Sequence, residues 1–347
     1  MHMADALVST GVAATMGVLS AAAAGWSIQR VRIENDEKKI PVMGVMGAFV
    51  FAAQMINFTI PGTGSSGHLC GGMMLSALLG PWAGFLTMIG VLLIQCLFFA
   101  DGGLLALGCN VWNMAFYGCF VGYYLIWRPI MRSRWFGEGK GAQRARVIAA
   151  SVIGCVVTLQ LGAFSVVLET SLSGITDLPL GAFVAIMQPI HLAIGLIEGL
   201  ITAAVLCFVL EARPELLRDA QSSGESPKHS LKNTIIVLAA VALVVGGGLS
   251  LLASSNPDGL EWALFGNEDS GYAQNMGLDE EQYGVSSGAA DKASEIQEKT
   301  SVLPDYGFSG SDSSAGTSVS GIVGAALVAA VALGISLLGG FFRKRKK

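Results

Sequence analysis

The hydrophobic positions of this chain fall into long unbroken runs rather than alternating or striped patterns. Nine runs stand out, near residues 7–27, 40–60, 67–80, 81–100, 104–127, 147–169, 180–210, 233–253 and 320–342. Most approach the ~20 residues that a helix needs to cross a ~30 Å hydrocarbon core. The pattern therefore predicts an all-α polytopic membrane protein. The third run is too short to cross comfortably and is expected to tilt or to be partly re-entrant against its neighbours. The seventh is long enough to tilt. Between the eighth and ninth runs, residues 254–319 are rich in Ser, Gly and Asp with weak periodicity. They read as a small, partly flexible domain outside the membrane.

Composition narrows the function classes. Of 347 residues, 52% are hydrophobic and only 13% charged, with a mean hydropathy of +0.60. Ordinary soluble domains carry about 25% charge. A disordered chain is excluded and a soluble enzyme disfavoured. Charge position adds an orientation. Nineteen of the 21 Lys and Arg residues lie in four stretches, Arg30–Lys39, Arg128–Arg146, Arg213–Lys232 and Arg343–Lys347. Nine crossings with the N-terminus outside put all four stretches in the cytoplasm, as positive charge prefers. The same topology puts residues 254–319 outside, where 12 Asp and Glu face only Lys292 and Lys299. The expected place is the cell membrane, multi-pass, with a cytoplasmic C-terminus. Residues 1–8 contain no Lys or Arg, so the basic region of a signal peptide is absent. His2 is too large a second residue for the usual removal of the initiator Met. Met1 is expected to stay and to present a free amine outside.

Candidate chemistry is sparse. All six cysteines lie in apolar runs without a C-x-x-C, which argues against disulfides or a zinc cluster and for helix packing. Of four histidines, His229 falls in a polar cytoplasmic stretch and His191 inside the seventh run. His2 and His68 both fall at the outer face. The Met1 amine, the His2 amide nitrogen and the His2 imidazole can close a five-membered and a six-membered chelate ring. An imidazole from His68 completes a nitrogen square, a geometry that suits Ni(II) or Cu(II), with Co(II) possible, over Zn(II). The plainer alternative is a frayed His2 and a His68 that only starts a helix. Around His68 the chain reads Pro61-Gly-Thr-Gly-Ser-Ser-Gly-His68-Leu-Cys-Gly-Gly72. Its glycines allow close backbone approach, and Ser65 and Ser66 can fix an imidazole tautomer. Asn57, at the outer end of the second run, is either a supporting partner or a helix cap. Asp101 marks an outer turn beside the candidate site. His191 and Glu198, seven residues apart, share one helix face. They are either a packing pair or part of an ion path. Gln95, Asn110, Asn113 and Gln160 read as interhelical hydrogen-bond partners.

No phosphate-binding G-x-x-x-x-G-K-[ST] occurs; the nearest fragment, Gly137-Glu-Gly-Lys-Gly141, fails at its last position. The chain cannot hydrolyse ATP by itself. No catalytic constellation is arranged, and nothing points to nucleic acid. An intramembrane enzyme or a sensor using the His191/Glu198 pair is the alternative class, and a partner-binding acidic outer domain is another.

Several segments together resemble a known family. Met1-His2, Thr63-Gly-Ser-Ser-Gly-His68-Leu-Cys-Gly-Gly72 and Gly80-Pro81-Trp82 are similar to the substrate-capture subunit of energy-coupling-factor nickel/cobalt transporters, the CbiM/NikM family. So are Phe98-Phe-Ala-Asp-Gly-Gly103, Ala106-Leu-Gly-Cys-Asn-Val-Trp-Asn113 and His191-Leu-Ala-Ile-Gly-Leu-Ile-Glu198. Further along, Asn256-Pro-Asp-Gly-Leu-Glu-Trp262 and Leu303-Pro-Asp-Tyr306 resemble the PDGLE module of the companion subunit (CbiN/NikN). The resemblance implies a capture domain over 1–215 with seven helices, a cytoplasmic linker over 216–232, and a two-helix module over 233–347. It implies an ion held by Met1, His2 and His68, with Asn57 in support and no permanent cofactor. The implied cargo is Ni2+ or Co2+. The implied partners are a transmembrane coupling subunit and two cytoplasmic ATPases. One departure is Asp5-Ala6, where members often have an acidic residue followed by Gly; no ligand is lost by it.

Overall fold

The computed structural model describes residues 1–34, 39–174, 179–220, 230–267, 287–310 and 313–344. Residues 221–229 of the expected linker, with His229, lie outside the described residues, as do 268–286 of the outer segment and the basic tail 345–347.

A short 3-10 turn, Asp5–Leu7, precedes helix α1 (Thr10–Glu34) and α2 (Lys39–Gln54). A small antiparallel hairpin follows, β1 (Phe58–Ile60) and β2 (Ser65–Gly67), with Thr59 opposite Ser66. Then come α3 (Gly72–Leu79), α4 (Pro81–Phe99) and a continuous helical run. That run opens as α5 (Leu107–Asn110), widens to π-type pairing over Val111–Trp127 and closes as α6 (Arg128–Arg132). The two longest helices, α7 (Lys140–Leu172) and α8 (Leu180–Ala212), form a hairpin. The C-terminal part contributes α9 (Leu231–Gly247), α10 (Gly259–Phe265), α11 (Gly288–Thr300) and α12 (Ser314–Lys344). Helices α9 and α12 pack on α2, so the two parts of the chain share one bundle.

Among the described residues, five helices are long and apolar enough to cross a membrane, and two more, Pro41–Gln54 and Leu231–Gly247, are apolar but shorter. The all-α expectation holds apart from the hairpin. Two runs change shape. The second ends as a helix at Gln54, and its last residues become β1. The third is not a single helix: residues 65–71 enter as strand and loop, and only α3 is helical. At ~1.5 Å per residue, the eight residues of α3 span about 12 Å, far short of a bilayer.

The helix faces are inverted relative to a soluble bundle. On α8, Leu192, Leu196 and Leu200 are exposed, while His191, Gly195, Glu198, Gly199 and Thr202 are buried. Apolar side chains outward and small or polar ones inward is the arrangement of helices solvated by lipid. The small residues decide the approach: a Cβ on Gly199 would sit 2.7 Å from Val152 Cα of α7. Gln160 crosses the same hairpin, its Nε2 donating to the Gln188 carbonyl at 2.8 Å. All six cysteines are buried thiols.

Candidate metal centre

The first residues thread into the bundle instead of fraying. Met1 and Met3 are buried. One side chain holds the Met3 backbone: its N–H donates to Asn110 Oδ1 at 2.7 Å, and its carbonyl accepts from Asn110 Nδ2 at 3.1 Å. Asp5 Oδ1 accepts from the Ala106 N–H at 2.9 Å. Such close approach requires Gly102-Gly103. Gly102 has φ of +80°, and a Cβ on Gly103 would fall 1.9 Å from Asp5 Oδ1. Asn110 is thus a clamp on the chain start, because a buried backbone group needs a partner. Asn113 does bridge helices, donating to Glu169 Oε2 at 2.7 Å.

The loop carrying His68 is held from three sides. Glu198 on α8 accepts from the Cys70 N–H at 3.1 Å and the Gly71 N–H at 2.9 Å. Gln54 on α2 donates to the Cys70 carbonyl at 2.8 Å and receives Gln95 Nε2 of α4 at 2.8 Å. Irregular backbone at this depth is tolerated only when protein groups satisfy it. Glu198 and His191 therefore do not form the packing pair. Seven residues separate them by ~10.5 Å along the axis, and each finds a nearer partner. His191 Nδ1 lies 2.8 Å from the Met187 carbonyl.

The two arms meet at the chain terminus. The Met1 nitrogen is 3.2 Å from His68 Nε2 and 2.5 Å from Asp258 Oδ2. His68 Nδ1 is 2.9 Å from the Leu69 carbonyl. A carbonyl only accepts, so Nδ1 carries the proton and Nε2 turns a lone pair toward Met1. The His2 ring stacks on His68, with centroids 5.1 Å apart and an interplanar angle of 19°. His2 Nδ1 is 3.1 Å from Asp101 Oδ1, and Asp101 Oδ2 accepts from the Tyr306 hydroxyl. His2 Nε2 is buried without a hydrogen-bond partner among the described residues.

The electrostatics follow from burial and neighbours. Burial pushes the His2 imidazole below its ordinary pKa, against the pull of Asp101. Burial alone would raise Asp258, but the Met1 ammonium outweighs it and holds the carboxyl well below the usual range. Burial, with Asp101 beside it, pushes the Tyr306 phenol well up, so it remains a donor.

The other expected supporting residues do different work. Ser66 binds the C-terminal part: its Oγ donates to the Asn256 carbonyl at 2.7 Å and its N–H to Pro257 at 2.8 Å. The Ser65 hydroxyl donates to the Ser66 carbonyl at 3.2 Å. The Asn57 carbonyl accepts from the Ser254 N–H at 2.7 Å. These contacts dock residues 254–258 along the hairpin and deliver Asp258 to Met1.

Asp258 and Tyr306 are the residues that sequence reasoning missed as site members. Asp258 is readable as a helix cap, since Asp258 and Glu261 form a capping box at the start of α10. Nothing local announces a partner 257 residues earlier. Among the described residues no three His, Cys, Asp or Glu side chains are grouped to hold a metal.

Known proteins place the chain. Residues 2–216 match the family model described as the cobalt uptake substrate-specific transmembrane region, and residues 232–339 match the PDGLE domain. An Archaeoglobus fulgidus protein, provisionally named a fused nickel transport protein, NikMN, is 36% identical over 97% of this chain and 98% of its own length. A Sorangium cellulosum protein named cobalt transport protein CbiM is 32% identical, covering 66% of this chain and all of its own. A crystal structure titled as a truncated transition metal transporter superposes with a TM-score of 0.52 at 30% identity, over 61% of this chain and 99% of that one. The relatives are metal transport proteins, and this chain is a fused member of the CbiM family, carrying a PDGLE domain after its cobalt-uptake-type transmembrane region.

Proposed function

We propose that this chain is the ion-capturing membrane subunit of an ATP-driven, energy-coupling-factor importer of Ni2+ or Co2+. The observation that carries the reading is the buried Met1 nitrogen, 3.2 Å from a His68 Nε2 whose tautomer is already fixed. In this reading the N-terminus faces outside and the basic stretches face the cytoplasm. A capture domain over 1–215 is joined through 216–232 to the companion module over 233–347. A transmembrane coupling subunit and two ATPases supply the energy that this chain lacks.

The chemistry of loading follows from the contacts. Only Nδ1 of His2 closes a six-membered ring with its own amide nitrogen, so the ring must exchange Asp101 for the ion. The Met1 amine must lose a proton and leave Asp258. The His2 amide must lose its proton too. Loading therefore releases protons and strengthens as pH rises. The His2 imidazole, held below its ordinary pKa by burial, adds no competing proton near neutrality.

The test is nickel and cobalt binding by calorimetry on the full chain with its native Met1, beside a form with extra residues before Met1. The reading expects one tightly held ion per chain, lost on extension and in His68→Ala. Binding that ignores both changes overturns it.

A further inference from the structure

We infer that Gln95 is a positioning residue of the candidate site, its side-chain oxygen accepting from Nε2–H of His2 once Nδ1 of that ring has gone to the ion. The inference rests on the capture reading above and adds the group that holds the loaded ring.

Gln95 lies on α4 with its side chain buried. Its direction follows from what it touches. The Cys70 carbonyl can only accept, so the Gln54 amide must meet it with Nε2, at 2.8 Å. Gln54 Oε1 is then the acceptor, and Gln95 Nε2 donates to it at 2.8 Å. Gln95 Oε1 is the far end of this relay, which starts two residues past His68. The bond between α2 and α4 uses only the Gln95 nitrogen, so helix packing does not account for the oxygen.

That far end lies at His2. The Gln95 main-chain carbonyl accepts from the Asp101 N–H at 3.1 Å, and Asp101 Oδ1 is 3.1 Å from His2 Nδ1. The Gln95 amide is a hydrogen-bonding neighbour of the His2 ring and of the Tyr306 hydroxyl. Yet Gln95 Oε1 and His2 Nε2 are both buried with no hydrogen bond formed among the described residues. Two neighbouring orphans call for one reason. With the Asp101 carboxylate facing Nδ1, a neutral His2 carries its proton there, because a carboxylate only accepts. Nε2 is then a lone pair, and two acceptors cannot bond.

Loading removes the conflict. Nδ1 must be bare to take the ion, so the ring carries its proton on Nε2 instead. The ring keeps one proton throughout, and the protons released come from the Met1 amine and the His2 amide. Nε2–H then finds Gln95 Oε1, and both orphans are satisfied. A ligand imidazole is oriented by the partner of its other nitrogen. For His68 that partner is the Leu69 carbonyl, already engaged at 2.9 Å. For His2 it is Gln95, engaged only with the ion.

The experiment is nickel titration of the full chain with its native N-terminus, as wild type, Gln95→Leu, Gln95→Glu and His68→Ala. Gln95→Leu should bind nickel 10–100-fold more weakly, the usual loss when a ligand's support is removed. Gln95→Glu should stay within about threefold of wild type, since ionised or neutral it keeps an oxygen for Nε2–H. Affinity within twofold of wild type in Gln95→Leu, or no recovery in Gln95→Glu, overturns the role of Gln95 and leaves the capture site standing. Normal affinity in His68→Ala instead overturns the capture reading itself.

Gln95→Leu also loses the bond to Gln54, so a second measurement reads the hydrogen bond alone. Square-planar nickel(II) is diamagnetic, which keeps the His2 ring visible by NMR in nickel-loaded protein labelled with 15N-histidine. In wild type, His2 Nε2 should carry a proton with a nuclear Overhauser contact to the Gln95 side chain. In Gln95→Glu that proton should shift as its acceptor changes from amide to carboxyl. No such contact in wild type refutes the inference even if neither variant accumulates. A ring signal broadened away by a paramagnetic, non-planar ion overturns the nitrogen square and the inference with it.

Discussion

Two irregular, glycine-bearing connections sit at opposite ends of the bundle and differ in every physical respect. Residues 61–72 turn inward, and all of 64–72 are buried. Residues 133–139 stay at the surface, with Trp135 98% exposed. Composition alone reads both as loops. In the first, Glu198, Gln54 and the backbone of 256–257 take up the main-chain groups that water would otherwise serve. In the second, solvent can do so. A buried loop must be held by side chains from several helices, so its shape is fixed well enough to present a ligand.

The contrast breaks most directly at the ligands. Under the capture reading, replacing His68 by Ala removes one of the nitrogens that hold the ion. Nickel affinity of the full chain should fall at least a hundredfold, measured by equilibrium binding. A fall under threefold would mean that the buried loop presents no ligand.

Removing the brace is the next effect. Glu198→Ala strands the Cys70 and Gly71 N–H groups in a dry interior. Leaving a buried donor without a partner costs ~1–3 kcal/mol, so two stranded N–H groups should lower stability by about 2 kcal/mol or more. Support residues of metal sites typically change affinity 10–100-fold. Thermal unfolding and nickel titration on the same sample separate the two effects. An unchanged unfolding midpoint would show the loop holding its shape without Glu198.

A smaller effect is expected where the C-terminal part touches the site. Asp258→Asn keeps the size but removes the charge facing the Met1 ammonium. The affinity should change by only a few fold, while crosslinking between engineered cysteines at Thr59 and Ser254 weakens. The same contact has a pH signature. Asp258 has a depressed pKa in the folded chain, so its contribution is complete above its unfolded value. It is lost as pH falls through the folded value, well into acid. Docking measured by that crosslink should be flat from pH 7 to about pH 5 and decline only below an ordinary aspartate's pKa, ~3.9.

The smallest effect belongs to the exposed connection. Trp135→Ala should leave stability within ~0.5 kcal/mol and nickel binding unchanged.

Much of the molecule was legible in the order of its residues. Hydrophobic run lengths announced the helices, because in lipid the backbone must satisfy itself within each segment. The short third run announced its own irregularity, and Met1, His2 and His68 were singled out by their donor chemistry. The structure brings those three together at one end of the bundle. Asp101 was expected beside them and does hold His2.

Other assignments needed the fold. Asn110 was expected to join helices and instead clamps Met3. Ser66 was expected to support an imidazole and instead binds residues 256–257. Glu198 was read, with His191, as a packing pair or part of an ion path, and the structure has it accepting from the Cys70 and Gly71 N–H groups of a loop. In each case the sequence named a polar residue that could not remain unpaired in an apolar interior, but not the partner. Asp258 and Tyr306 show the same limit from the other side, since Asp258 reaches the Met1 nitrogen and Tyr306 reaches Asp101, each across more than 200 residues of sequence. Composition and periodicity are local and determine which segments enter the membrane and which atoms can bind a metal. Hydrogen bonds and ion pairs between distant segments depend on which helix faces meet. Only the packed bundle decides those.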